Sequence, residues 1–261
     1  MSSEAEALRA ENAKLRAELE KWTSRGVPTY DADYLTVWHK YVDFMQEPAF
    51  LSAYRRGMFS GHSIGQNPNE QRDIHIEWRI AVCCWAGRHA ARLDGDFVEC
   101  GTNTGIMSLA VCDYVDFNGL DKYFYLFDTF NGIPVEQISM GEGAAGRANE
   151  NSMYPDCWER AVANFAPFPR ARLVRGRVPE TLTSVEIDKV AYLCIDMNIT
   201  LPEKAALEYF WEKLTPGGVV VFDDYAWTPY REQKEAHDAF AHSKGVKILT
   251  LPTGQGLLLK S

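Results

Sequence analysis

Apolar and polar positions follow two different periods along this chain. Short apolar runs occupy residues 97–100, 123–127, 190–195 and 218–222, with weaker ones at 172–174, 246–251 and 257–259. Between most of them lie segments whose apolar residues recur every three or four positions, at 104–116, 156–165, 202–214 and 229–242. The runs predict buried strands and the longer spacing predicts helices. Strand and helix in alternation predict an α/β domain whose mainly parallel, seven-stranded sheet is covered on both faces. The last two runs are joined by PTGQG (252–256), a hairpin length, so the final strand is expected to run antiparallel to the rest.

Upstream the pattern changes. Residues 73–93 read as a helix with Ile76, Ile80, Cys83, Cys84 and Ala91 toward a core. Residues 31–60 carry Tyr34, Trp38, Tyr41, Phe44, Phe50, Tyr54 and Phe59 at spacings that predict a helical cap, and SGHSIGQNPNEQ (60–71) reads as a polar loop. Residues 3–22 form a heptad, with Ala5, Asn12 and Leu19 at a and Leu8, Leu15 and Trp22 at d. Glu4 and Glu11 then fall at g, and Arg9 and Arg16 at the following e, which suits a parallel two-stranded coiled coil and a homodimer. The other reading is a lone amphipathic helix packed on its own domain. Gly26 and Pro28 end this helix, so the expected divisions are a coiled-coil helix at 1–25, a cap and loop at 26–72, and an α/β domain at 73–261. Residues 131–155 lack periodicity and are expected to be a functional lid or disordered.

Composition narrows the partners. A net charge of -9 and a pI near 5.2 argue against nucleic acid as the main partner. No apolar run approaches the roughly 18 residues that span a bilayer, and the charged N-terminus does not read as a signal peptide. Six cysteines without a CxxC spacing fit reduced thiols, so a cytoplasmic protein is expected.

The candidate chemistry begins at FVECGTNTG (97–105). Ligands in open parallel sheets bind beyond the carboxyl ends of strands. A dinucleotide loop would read GxGxxG; here Gly101 and Gly105 have no glycine between them, and Glu99 opposes a phosphate. An acid there suits S-adenosylmethionine, which carries an ammonium and a sulfonium. Asp128, ending YFYLFD, is placed to bind both ribose hydroxyls, and Phe130 to cover an adenine. Taken alone, these residues also fit a plain strand-to-helix turn and a turn cap.

Asp196 ends VAYLCID, and Asp223 and Asp224 end GGVVVFDD. Neighbouring parallel strands lie about 5 Å apart, so the three carboxylates converge and repel unless a cation sits among them. All-oxygen donors favour Mg²⁺ or Mn²⁺ over zinc. Such an ion lowers the pKa of a bound hydroxyl, and Asp196 is the best candidate for a catalytic residue. The competing reading has one vicinal acid capping a helix and Asp196 in a salt bridge. His237, His62 and His75 are weaker candidates for a base, and Trp158 and Trp227 for stacking on an acceptor.

The segments DGDFVECGTNTG, YLFDTFNGIP, LVRGRVPETL, CIDMN, LTPGGVVVFDDY and TGQGLLLK come in this order over residues 75–261. In this the chain resembles the macrocin O-methyltransferase (TylF/MycF-like) family of Mg²⁺- and S-adenosylmethionine-dependent sugar O-methyltransferases. The resemblance implies a class I methyltransferase fold. It implies cofactor contacts at Glu99, Gly101, Thr102, Asn103, Thr104, Gly105, Ser108, Asp128, Thr129 and Phe130, with Gly176 and Val178 beside the adenine. Metal ligands would be Asp196, Asp223 and Asp224. Where the family has an acidic residue and a Tyr after the first metal Asp, this chain has Met197, Asn198 and Ile199. That departure and the heptad point to a different acceptor, a glycan or a nucleotide sugar. The rival readings are a catechol or phenol methyltransferase, an NAD-dependent oxidoreductase, and an inactive cofactor-binding dimerisation module.

Overall fold

The computed structural model describes residues 3–65 and 73–261, so residues 66–71 of the expected polar loop lie outside it. The described chain forms two compact units, Met1–Phe44 and Met45–Ser261.

In the first unit, helix α1 (Ser3–Thr23) bears the heptad, and Leu8, Leu15, Leu19 and Trp22 are each between 53% and 64% exposed. A hairpin of β1 (Tyr30–Ala32) and β2 (Leu35–Val37) follows. Here the expected helix at 31–60 is corrected. Asp33 and Tyr34 both take positive φ, 50° and 56°, and close a two-residue turn that sets Ala32 opposite Leu35. Successive positive-φ residues make the hairpin turn whose twist matches the strands, and a helix cannot pass through them. Trp38 packs against Trp22 with ring centroids 5.6 Å apart, and the Arg25 guanidinium lies over Trp22.

The second unit opens with α2 (Pro48–Met58), the one α-helix formed within the expected cap. Helix α3 (Glu77–Ala90) is shorter than the 73–93 expected, and residues 73–76 precede it without regular structure. Then come β3 (Asp96–Cys100), α4 (Ile106–Tyr114), β4 (Phe124–Asp128), α5 (Met140–Ala144), α6 (Trp158–Phe165), β5 (Ala171–Arg175), β6 (Val190–Ile195), α7 (Thr200–Trp211), β7 (Leu214–Phe222), α8 (Arg231–Ser243), β8 (Leu249–Thr250) and β9 (Gly256–Leu259).

The sheet order is β5-β4-β3-β6-β7-β9-β8, with β9 antiparallel to both β7 and β8. The expected seven strands and reversed final strand are thus present. Every residue of β6 is buried, as a central parallel strand covered on both faces requires. Phe97, Phe117, Phe124 and Tyr192 pack ring to ring, with centroids such as Phe97–Tyr192 at 5.1 Å. Phe127, Phe210, Trp211 and Phe240 belong to a further buried cluster under α7 and α8. Each such side chain contributes about 2–3 kcal/mol of burial.

The chain builds β3, β4 and β5 outward, then returns to lay β6 on the other side of β3. That reversal opens a crevice between the carboxyl ends of β3 and β6, the usual ligand position in such sheets.

Candidate active site

A cleft occupies this crevice. It is lined by Glu99, Gly101, Thr102 and Asn103 from the β3 turn, by Asp128, Thr129 and Phe130 from β4, and by Gly176 and Val178 after β5. Asp196, Asp223 and Asp224 line the same cleft. Of the residues expected at the cofactor, Thr104, Gly105 and Ser108 stand outside the lining. The Thr104 hydroxyl pairs with that of Ser60 at 2.8 Å, Gly105 abuts the Phe165 ring, and Ser108 is wholly buried in the first turn of α4.

Gly101 explains how the turn fits. Its φ is 95°, and a Cβ there would overlap the Asp196 carbonyl. Only glycine takes this conformation without strain and lets β3 turn directly against the end of β6. Asp128 then holds the turn. Its Oδ2 accepts the Asn103 N–H at 2.7 Å and its Oδ1 the Phe130 N–H at 2.6 Å. Burial pushes this carboxyl above its ordinary range, although the backbone hydrogen bonds oppose the shift. Phe130 is fully buried, braced edge-on by Trp158 at 5.1 Å.

Glu99 is 1% exposed, and its Oε2 has no hydrogen-bond partner among the described residues. Burial raises its pKa well above normal, a side-chain hydrogen bond with Ser108 opposes the rise, and the charges of Asp196 and Asp128 add to it. A buried carboxylate oxygen without a donor is costly, so this position suits a cationic group from the cleft.

One carboxylate oxygen from each of Asp196, Asp223 and Asp224 lies within 4.8 Å of the others. Strand pairing causes this, because Ile195 at the end of β6 sits opposite Phe222 at the end of β7. Burial, and then the charge of Asp224, push the Asp196 carboxyl up to about 7, while Arg79 opposes the shift. Mutual repulsion of hard oxygen donors, with no His or Cys in the set, fits a divalent cation of the Mg²⁺ or Mn²⁺ kind.

Sequence reasoning missed three neighbours. Arg79, on α3, pairs with Asp223 through Nε at 3.2 Å and also through Nη2. Gln255, at the start of the final hairpin strand and fully buried, donates from Nε2 to Asp223 Oδ1 at 3.0 Å. Glu203, on α7, accepts the N–H groups of Met197 and Asn198 through Oε1, each at 3.0 Å, and so fixes the loop after Asp196. A lone arginine within an apolar helix face was the only available signal for Arg79. Nothing local distinguishes Gln255 or Glu203.

Asn198 adopts φ 63° and accepts the Tyr230 hydroxyl at 3.1 Å, and both residues line the cleft. Residues 131–155, expected as a functional lid or disordered, are ordered in short helical turns, and both ends of the segment line the cleft, through residues such as Ile133, Gln137 and Tyr154. Ser139 and Glu142 form a reciprocal cap at the start of α5, and Glu142 Oε1 accepts both the N–H and the hydroxyl of Thr200 at 2.6 Å. Arg147 stacks on the Tyr230 ring at 3.7 Å.

None of the three histidines lines the cleft. His62 is buried, His75 is exposed beside Asp73 and Glu77, and His237 packs on Phe222 in the core. Burial drops the His237 imidazole to about 4. Trp227 lies outside the lining too, with the Arg79 guanidinium 6.0 Å from its ring centre.

A seven-stranded sheet of this order, with a reversed final strand and a cleft at the β3–β6 switch, defines the class I methyltransferase fold. The fold aligns with the O-methyltransferase NovP over 85% of this chain and 98% of that one, with a TM-score of 0.66 at 21% identity. It also aligns with CalS11, described as a calicheamicin methyltransferase, over 85% and 94%, with a TM-score of 0.54 at 18% identity. The sequence profile of the macrocin-O-methyltransferase (TylF) family matches residues 83–250, and the chain belongs to that family. A curated relative from Streptomyces olivaceus, 8-demethyl-8-(2,3-dimethoxy-alpha-L-rhamnosyl)-tetracenomycin-C 4'-O-methyltransferase, is 26% identical over 141 residues. The match spans 51% of this chain and about half the length of that relative, 53%.

Proposed function

We propose that the protein is a divalent-metal-dependent O-methyltransferase that moves the methyl of S-adenosylmethionine to a sugar hydroxyl. The observation that carries this reading is the joining of two features in one cleft: a buried Glu99 with one oxygen left without a hydrogen bond, and a triad of carboxylates at Asp196, Asp223 and Asp224. Family membership supports it. The names of relatives support a deoxysugar acceptor, since one is a 4'-O-methyltransferase of a rhamnosyl tetracenomycin and CalS11 is described as a TDP-rhamnose 3'-O-methyltransferase. The acceptor proposed here is a sugar hydroxyl on a nucleotide sugar, a glycan or a glycosylated natural product.

Glu99 would face the cationic end of the donor, Asp128 the ribose, and Phe130 with Gly176 and Val178 the adenine. Thr102, Asn103 and Thr129 complete that wall. A Mg²⁺ or Mn²⁺ ion held by Asp196, Asp223 and Asp224 would acidify and orient the acceptor hydroxyl. Asp196, at the end of β6 and within that triad, would take the proton that the hydroxyl releases as its oxygen attacks the methyl carbon. S-adenosylmethionine would supply the methyl group, its sulfur keeping the electron pair of the broken C–S bond and leaving as a neutral thioether. The buried walls keep water from competing for the methyl, and fixed placement of both reactants supplies much of the rate.

We also infer that α1 pairs with a second copy as a parallel coiled coil. Leu8, Leu15 and Trp22 at d and Leu19 at a are exposed, and its e and g charges are complementary in that register.

The test incubates the protein with S-adenosylmethionine and a panel of nucleotide deoxysugars, with Mg²⁺ or with a chelator. Mass spectrometry should find a methylated sugar and S-adenosylhomocysteine, both abolished by the chelator. Turnover unaffected by chelation would refute the metal reading.

A further inference from the structure

We infer that Arg79 is a positioning residue for the metal centre. It locks Asp223 as a pre-oriented ligand. The inference rests on the metal-dependent reading above.

Arg79 reaches the site from α3, an element separate from the strands that bear the acids. Its guanidinium grips both oxygens of one carboxylate. Nε donates to Asp223 Oδ1 at 3.2 Å, and Nη2 meets Oδ2. Gln255 adds a donor to Oδ1 at 3.0 Å, and that same amide nitrogen lies 3.4 Å from the Arg79 carbonyl oxygen. Asp223 is thus clamped from two sides, and its carboxylate plane is fixed before any ion arrives. Asp224 Oδ1 stands further off, 3.7 Å from Nη2. A planar two-pronged contact of this kind fixes geometry as well as charge, which a lysine would not do.

Its charge acts in the same direction, because it offsets part of the repulsion between Asp223 and Asp224. The Arg79 side chain is only 15% exposed, so its charge is weakly screened. Groups that orient metal ligands from behind commonly govern affinity about as strongly as the ligands themselves, with losses of about 10–100-fold on mutation.

The opposite role is conceivable for a cation so placed: Arg79 would occupy the ion's position and compete with it. The two roles predict opposite changes in affinity. The test is Mn²⁺ titration followed by electron paramagnetic resonance, with S-adenosylhomocysteine affinity measured in parallel. Wild type should bind Mn²⁺. Arg79→Met should bind it at least tenfold more weakly while S-adenosylhomocysteine affinity stays within twofold. Arg79→Lys, which keeps the charge and loses the fork, should fall between them. Gln255→Leu should weaken Mn²⁺ binding severalfold.

Unchanged or tighter Mn²⁺ binding by Arg79→Met overturns the proposal, and the tighter result assigns competition. Parallel loss of both ligands also overturns it, because that is the mark of a merely structural role. If Arg79→Met does not fold, Arg79→Lys decides, and wild-type-like Mn²⁺ affinity in that variant refutes the positioning role. Absence of Mn²⁺ binding by wild type defeats the metal reading itself, a separate and recognisable result.

Discussion

Glu99 carries a carboxyl that burial disfavours and that the cleft leaves without a donor on one oxygen. Glu99→Gln should therefore raise Tm while weakening S-adenosylmethionine binding about tenfold, roughly 1.4 kcal/mol. Calorimetric titration beside thermal unfolding checks both signs, and a variant that loses stability and keeps affinity would assign Glu99 to the scaffold. Asp196→Ala, Asp223→Ala and Asp224→Ala should each cut turnover by about 10²-fold or more, the range associated with losing a positioned acid or base. His237 gives a pH prediction. Its folded pKa is depressed to about 4 from 6.5, so the unfolded chain binds a proton in that window that the folded chain refuses. The His237 contribution is then complete above pH 6.5 and falls as pH drops through the window, by about 2 kcal/mol at pH 5. His237→Leu should raise the urea midpoint at pH 5 relative to that at pH 7.5, compared with the same difference in wild type. At this scale Asp128 and the three later aspartates were legible, because each ends an apolar run. Arg79 was not, because its significance depends on a residue 144 positions away.

Among the elements, the segment from Pro134 to Tyr154 diverges most from its sequence pattern. Gly, Asn and Glu without periodicity suggest mobility, yet the segment is held by specific polar contacts that no periodicity encodes. Glu142 caps α5 and grips Thr200 at the start of α7. Glu142→Ala should cost about 1–2 kcal/mol as a lost cap and expose residues 140–155 to limited proteolysis. A digestion pattern identical to wild type would show that the anchorage lies elsewhere. The hairpin at residues 30–37 was missed for a similar reason. Two successive positive-φ residues, Asp33 and Tyr34, decide it, and their aromatic neighbours masqueraded as a helical period. Helix α1 was plain from its heptad. Removing residues 1–25 should halve the solution mass measured by light scattering, and an unchanged mass would remove the coiled coil as the dimer contact.

For the whole molecule, the alternation of runs was enough to anticipate the architecture, because a strand buried on both faces must be apolar throughout. Strand order was less accessible. What places β6 beside β3 is the long return of the chain, and it is this step that brings Asp196 beside the Gly101 turn. No described helix is long and apolar enough to cross a membrane. S-adenosylhomocysteine at a hundred times its Kd should stabilise the fold by about 2.7 kcal/mol, while NAD should leave Tm where it is. An NAD-induced rise would reopen the dinucleotide reading.

Strand β9 lies inside the sheet, between β7 and β8, although both of those precede it in the chain. One edge of β7 is therefore paired only by residues 256–259, after the chain has passed through α8 and β8. Gln255, which clamps Asp223, arrives in the same few residues. Losing residues 255–259 would therefore strip the sheet of an inner strand and the proposed metal site of its amide clamp in a single stroke.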